Sequence, residues 1–219
     1  EVAALPAVYD YGEYANAGFE GTTREDYAVP FIYLLQAISP QVQERDDARA
    51  GMLINTATGE LYAAEEAKGG EGIIFIPCCR EHLFVEWRPR DSGGGFVASH
   101  ATDADIVRYC REHQSFGEYK TSEGNDLIET FYIYGVLVKP DGGTEYAVLA
   151  FNSTKIKVYK QFMTRAESIR IKLPDGRVVK PPLFAHRYRI KTVSQKNNQG
   201  TFYNLKVTFD GDNGEAARL

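Results

Sequence analysis

The chain has 219 residues, 43% of them hydrophobic and 25% charged, which is enough to bury a core as one large domain or as a domain with an N-terminal accessory. Its net charge is −5, and no run approaches the ~18 apolar residues that a membrane-crossing helix needs. Three cysteines, two of them adjacent (Cys78, Cys79), do not read as a disulfide framework, and with no signal-peptide pattern at the start the expected setting is cytoplasmic.

Taken in chain order, residues 1–21 read as a loose Ala-, Tyr- and Glu-rich arm. Thr22 and Thr23 ahead of an acidic pair predict a helix start, and the apolar run from Val29 to Ile38 follows, closed by Ser39 and Pro40. Residues 1–50 therefore read as an N-terminal arm with a helical accessory segment. From Gly51 the signals turn to strands: Met52–Asn55 and Glu60–Ala63 around a turn, then a continuous apolar run from Gly72 to Cys78. A separate alternating strand is expected from His82 to Arg88, ending in the glycine loop 91–95. A helical insertion is expected near 103–114. Leu127–Lys139 and Glu145–Phe151 read as a hairpin turned by Pro140, Asp141 and two glycines. A helix follows to about Ile169, with Ile156, Tyr159, Met163 and Ala166 on one stripe and Lys157, Lys160, Gln161 and Thr164 opposite. A small hairpin around Pro174–Gly176 precedes two closing strands, Leu183–Val193 and Thr201–Phe209, and 210–219 reads as a tail. The fold class is mainly β with minor α: a small antiparallel barrel or a sandwich over 51–209.

The charges are segregated along this order. Residues 1–150 hold 11 Lys+Arg against 25 Asp+Glu, whereas 151–206 hold 13 against 2. A polyanion responds to local potential, so the negative average does not exclude a nucleic-acid partner. An extended strand over 183–191 puts Arg187, Arg189 and Lys191 on one face at about 6.5–7 Å spacing, the repeat of a stretched sugar–phosphate backbone. Lys155, Lys157, Lys160, Arg165 and Lys196 are further candidate phosphate contacts. Phe202 is a stacking candidate across the turn, as are Tyr132 and Tyr134 on one face of their strand, and Trp87 beside Arg88 and Arg90. Core packing explains these aromatics as well, above all Trp87, which the alternation of its strand turns inward, and a solvated face explains the cations.

Two other chemistries have short motifs. Cys79 and His82 recur in spacing as Cys110 and His113, two C-x-x-H units 27 residues apart that would supply four zinc ligands. Asp103, Asp105, Glu118 and Lys120 resemble the carboxylates and lysine of Mg²⁺-dependent nucleases. The templates of serine hydrolases, P-loop enzymes and zinc proteases do not occur, and no cofactor is implied.

Four stretches carry a resemblance: Val29–Gln36 (VPFIYLLQ), Val85–Phe96 (VEWRPRDSGGGF), Phe151–Lys157 (FNSTKIK) and Phe184–Tyr188 (FAHRY) look like a family of tailed-bacteriophage proteins. The likeness specifies a family and no activity. From Phe131 onward the element order is also similar to phage replication proteins that coat single-stranded DNA. Those have an oligonucleotide-binding (OB-fold) barrel of a strand pair, a basic helix and two closing strands. Their zinc-binding insertion has no equivalent at the C-x-x-H spacing here, and only Asp210, Asp212 and Glu215 hint at their acidic tail. The resemblance implies an OB-fold-like barrel that binds single-stranded DNA without strong sequence preference in the cytoplasm of an infected bacterium. Replication or recombination proteins and a second copy of the chain are its implied partners. The rivals are a virion or assembly protein, whose acidic and basic halves pair between copies, and the nuclease.

Overall fold

A computed structural model describes residues 17–198 and 200–212. The arm over 1–16, Gln199 and the tail position Glu215 lie outside the described residues. The chain folds mainly as β-structure: β1 (Phe31–Leu34), α1 (Pro40–Glu44), β2 (Leu53–Asn55), β3 (Leu61–Tyr62), β4 (Ile73–Trp87), β5 (Phe96–Ala101), α2 (Asp105–His113), β6 (Asp126–Val138), β7 (Thr144–Asn152), α3 (Ile156–Ser168), β8 (Ile171–Lys172), β9 (Val178–Val179), β10 (His186–Asn197) and β11 (Gly200–Asp212). One sheet runs in the order β11-β10-β4-β6-β7-β1-β2-β3, with β5 added to the far part of β4. β8 and β9 form a separate small hairpin.

The sheet curls into a half-barrel, and side chains tie its ends together. Just beyond β1, the Gln36 amide donates to the Tyr203 carbonyl and accepts from the Tyr203 N–H, both at 2.9 Å. Beyond β3, the Ala64 carbonyl accepts the Thr192 N–H at 2.8 Å. These contacts satisfy backbone groups along β10 and β11 that a free sheet edge would leave open.

The N-terminal segment departs from the sequence-based expectation. Phe31–Leu34 is not helical; it is β1, parallel to β7 and antiparallel to β2. Before it stands a single 3₁₀ turn, Arg24–Asp26, and Pro40 opens the five-residue α1 instead of closing a helix. Ile32 and Leu34 alternate into the core, and Pro30, which has no N–H, stands just ahead of the strand and accepts from Val148. Pairing on both sides outweighs the local capping signal.

β4 is the second difference. The turn expected near Cys79–His82 is absent, and one 15-residue strand runs through it. A register shift between Pro77 and Cys79 against β6 absorbs the irregularity as a bulge. Gly135 stands opposite Pro77, where a Cβ would come within 2.2 Å of the Ile76 carbonyl oxygen. The exposed strand β5, paired with β4 across the glycine loop, had no alternating apolar signal to announce it.

The concave side holds the main core, and α3 lies in it. Tyr159 stacks on Phe131 at 4.3 Å, and Phe162 meets Tyr188 edge-on at 4.7 Å. Burying each of these rings contributes roughly 2–3 kcal/mol before entropy is charged. A smaller core forms where α2 sets Val107 and Cys110 against Phe84, Tyr119 and Leu127. Beside it the buried Glu86 receives hydrogen bonds from Asn125 at 2.7 Å and His100 at 2.8 Å. Burial alone would raise that carboxyl; the hydrogen bonds outweigh it and hold the pKa below its ordinary value.

Candidate nucleic-acid interface

The cations of the last third divide between two faces of the sheet. On β10 the alternation holds: His186, Tyr188, Ile190 and Thr192 are buried. Tyr188 meets α3, so Arg187, Arg189 and Lys191 leave from the face opposite the helix. That outer face is largely neutralised. Asp210 of β11 lies 3.3 Å from Arg187 and 3.0 Å from Arg189, and Arg189 also donates to the Glu71 carbonyl. Lys206, paired in register with Lys191, is bound by Glu66 at 2.6 Å. Lys191 and the exposed Lys196 make no ion pair among the described residues.

The helix presents a different surface. Its apolar stripe is docked in the core, which turns Lys157, Lys160 and Arg165 to solvent. They line an open groove of about 580 Å³ together with Ser153, Ile156, Gln161, Thr164 and Phe116. No carboxylate lines it, and none of its three cations is ion-paired among the described residues. Phe116, in the loop after α2, is 73% exposed and rests edge-on against Tyr119. An exposed ring beside free cations supplies the two ingredients of single-strand binding, stacking and phosphate neutralisation.

A second cleft of about 530 Å³ adjoins the first at Ser153, which lines both. It contains Lys155, Thr154, Phe202, Asn197 and Gln36. Lys155 belongs to the 3₁₀ turn Ser153–Lys155 ahead of α3, and its ammonium stands 6.0 Å over the Tyr33 ring. Burial pushes its pKa down. Ser153 has φ +47°, the one non-glycine residue described with a positive φ, at the point where the strand β7 bends into the helix.

The remaining aromatic candidates stand elsewhere. Tyr132 and Tyr134 project from β6 on the side away from Phe131 and Ile133, 6.2 Å apart, and the Tyr134 hydroxyl donates to Glu81. Trp87 was expected to alternate inward. It is 37% exposed, packed edge-on to Phe96, with Arg88 and Arg90 exposed nearby and free of ion pairs among the described residues. It sits on the order of 40 Å along β4 from the residues that pair with β10. The structure thus joins Lys157, Lys160 and Arg165 in one groove and Lys155 with Phe202 in the next, and the Arg187 stripe, the tyrosine pair and Trp87 line neither. Phe116 was missed by sequence reasoning; its only signal is a lone aromatic between Ser115 and Gly117.

Several residues of the metal and nuclease motifs have partners of their own in the fold. Cys79 and His82 are three apart on β4 and so face opposite ways. His82 stacks on Phe131 and lies 2.9 Å from Glu129, while Cys110 is fully buried on the inner face of α2 and His113 bonds the Tyr109 carbonyl. Asp105 pairs with Arg108, and Lys120 with Asp126. Among the described residues no group of three or more His, Cys, Asp or Glu is placed to hold a metal ion. None of the described helices is long and apolar enough to cross a membrane.

Residues 1–218 match the family model described as Pam3 phage gp34-like protein. No curated protein and no solved structure matches the chain.

Proposed function

The chain belongs to a bacteriophage protein family, the Pam3 phage gp34-like proteins, and from that premise we propose that it binds single-stranded DNA, without catalysis and without strong sequence preference, along the exposed face of α3. The observation that carries this reading is the groove in which Lys157, Lys160 and Arg165 stand unpaired beside the exposed Phe116, with no carboxylate lining it. Phosphates of the strand run over the three cations, a base stacks on Phe116, and Gln161 and Thr164 give sequence-tolerant hydrogen bonds. The path continues past Ser153 to Lys155 and Phe202. Further support comes from the element order: a strand pair, a basic helix and, after the small β8–β9 hairpin, two closing strands, an order compatible with an OB-fold barrel. Arg187 and Arg189 are set aside from this site because Asp210 already holds them.

Three to five phosphate contacts imply an affinity that falls with salt at a log–log slope of about −2 to −3.5. Titrating a fluorescent oligo-dT and a matched duplex at several salt concentrations tests this. A weaker, flatter response for the duplex is expected, and equal binding of both, or of neither, would sink the reading. Mg²⁺-dependent cleavage of the oligonucleotide that disappears in Glu118→Ala would replace binding with a nuclease.

One observation favours the assembly reading. The β4–β5 hairpin ends in the exposed Trp87, Phe96 and Val97, an apolar tip that suits a protein partner. A concentration-dependent oligomer that shifts no oligonucleotide would establish that role.

A further inference from the structure

We propose that the cavity of about 410 Å³ between the C-terminal half of α3, the segment 180–183 and the middle of β4 is a nucleobase pocket. The inference rests on the single-strand reading and deepens it, since it gives one base of the bound strand, or of a free nucleotide, a place to leave the stack.

Two neighbouring inward positions of β10 carry the argument. His186 and Tyr188 both line this cavity and are 5% and 3% exposed. The Nδ1 of His186 lies 2.9 Å from the Asp212 carboxylate; with Nδ1 donating there, a ring that carries a single proton presents Nε2 as an acceptor. Among the described residues that Nε2 has no hydrogen-bond partner, and neither has the Tyr188 hydroxyl. Gln41 supplies the only other such buried side-chain atom among the described residues. Buried polar atoms are ordinarily paired, and two unpaired ones two residues apart on one strand, both on side chains that line one cavity, call for a common partner.

The chemistry of the walls selects that partner. Met163 and Leu183 make the cavity partly apolar, as a flat ring requires. An acceptor nitrogen disfavours an anion at His186, whereas every base has an N–H for it, and the phenol can donate or accept in turn. Arg80 and Lys180 also line the cavity, where a phosphate attached to the base would meet them; Lys180 is shared with Glu167 at 2.9 Å. Both unpaired atoms are closed to solvent, so a base reaches them as neighbouring side chains move aside. Because each base offers a donor, the pocket remains compatible with weak sequence preference.

Tyr188→Phe removes the unpaired hydroxyl and keeps the ring that packs on Phe162, so the variant folds, which a thermal melt confirms. Binding of a twenty-residue oligo-dT, of an abasic oligomer of equal length, and of thymidine monophosphate is measured for it and for the parent chain. The expected result is an affinity for oligo-dT lowered about threefold to tenfold, as for one lost hydrogen bond, with the abasic oligomer unaffected. An Arg80→Ala, Lys180→Ala double variant, altered only at the cavity's border, is expected to weaken the mononucleotide as well. If Tyr188→Phe binds both oligomers as the parent does, the pocket is overturned, while loss of oligomer binding in a Lys157→Ala, Lys160→Ala, Arg165→Ala variant still upholds the strand reading. If oligomers do not bind but the mononucleotide binds the parent and not Tyr188→Phe, the pocket stands and the strand reading falls. Binding of neither overturns both.

Discussion

The stripe on β10 and the face of α3 come from the same basic third of the chain, yet only one of them is available to a polyanion. Arg187 and Arg189 are drawn to Asp210, and Lys206 of β11 to Glu66, so of the stripe only Lys191 is left without an ion pair among the described residues. Among the described residues Lys157, Lys160 and Arg165 have no such neighbours, because the helix turns its apolar side inward and looks onto a loop that contributes Phe116 and no acid to the groove. Density of charge along a sequence is therefore a poor guide to free charge on a surface. What decides is which carboxylates the tertiary structure brings within about 4 Å.

The comparison can be broken most completely by detaching the helix. Phe162→Ala removes the ring wedged against Tyr188 and is expected to cost about 3–5 kcal/mol of stability in a denaturant titration, taking oligonucleotide binding with it. Next in size, the triple variant Lys157→Ala, Lys160→Ala, Arg165→Ala is expected to lose about 10- to 100-fold in affinity and to flatten the salt slope by about 2 units, with the melt unchanged. The matching change on the strand, Arg187→Ala with Arg189→Ala, is expected to leave both affinity and slope as they were and to alter stability by no more than about 1 kcal/mol, since exposed ion pairs contribute little. A fall in affinity equal to that of the triple variant would erase the distinction drawn here. Asp210→Asn sharpens it from the other side: with the two arginines released, a second, weaker binding mode is expected, steepening the slope by up to about 1 unit.

The smallest effect concerns Lys155, whose folded-state pKa is depressed by burial beneath the ordinary value of 10.5. Below the depressed value the fold bears the full expense of a buried charge. As the pH rises from there toward 10.5 the unfolded chain binds more protons than the folded one, and stability increases. Lys155→Met is thus expected to raise the melting temperature at neutral pH, by an amount that shrinks as the pH approaches 10.5. A gain that is the same at both ends would show that the charge is not the cause.

Much of the architecture was legible. The stripe Ile156, Tyr159, Met163 and Ala166 announced α3, and the alternation of β10 placed Arg187, Arg189 and Lys191 together on one face. The hairpin of β6 and β7 lies within a residue of its expected bounds. What failed has nameable causes. Thr22, Thr23 and the acids after them look like a helix start, but Phe31–Leu34 found partners in β2 and β7, which lie about 20 and 115 residues further along the chain. The run Cys78–His82 lacks a clean period of two, because a bulge sits inside it. Of the candidate site, the cations of α3 were readable; the aromatic that accompanies them was not, since Phe116 reaches the helix only through the packing of α2.

By itself the chain's order of residues determined the β6–β7 hairpin, the two closing strands, the amphipathic helix and the segregation of charge, all of which depend on neighbours a few positions away. The tertiary structure alone decided which cations remain free, which aromatics meet them, and that β1 enters the main sheet. Those outcomes depend on residues far apart in sequence, such as Asp210 and Arg187 or Phe116 and Lys160, and local periodicity has no term for a partner that arrives from elsewhere in the fold.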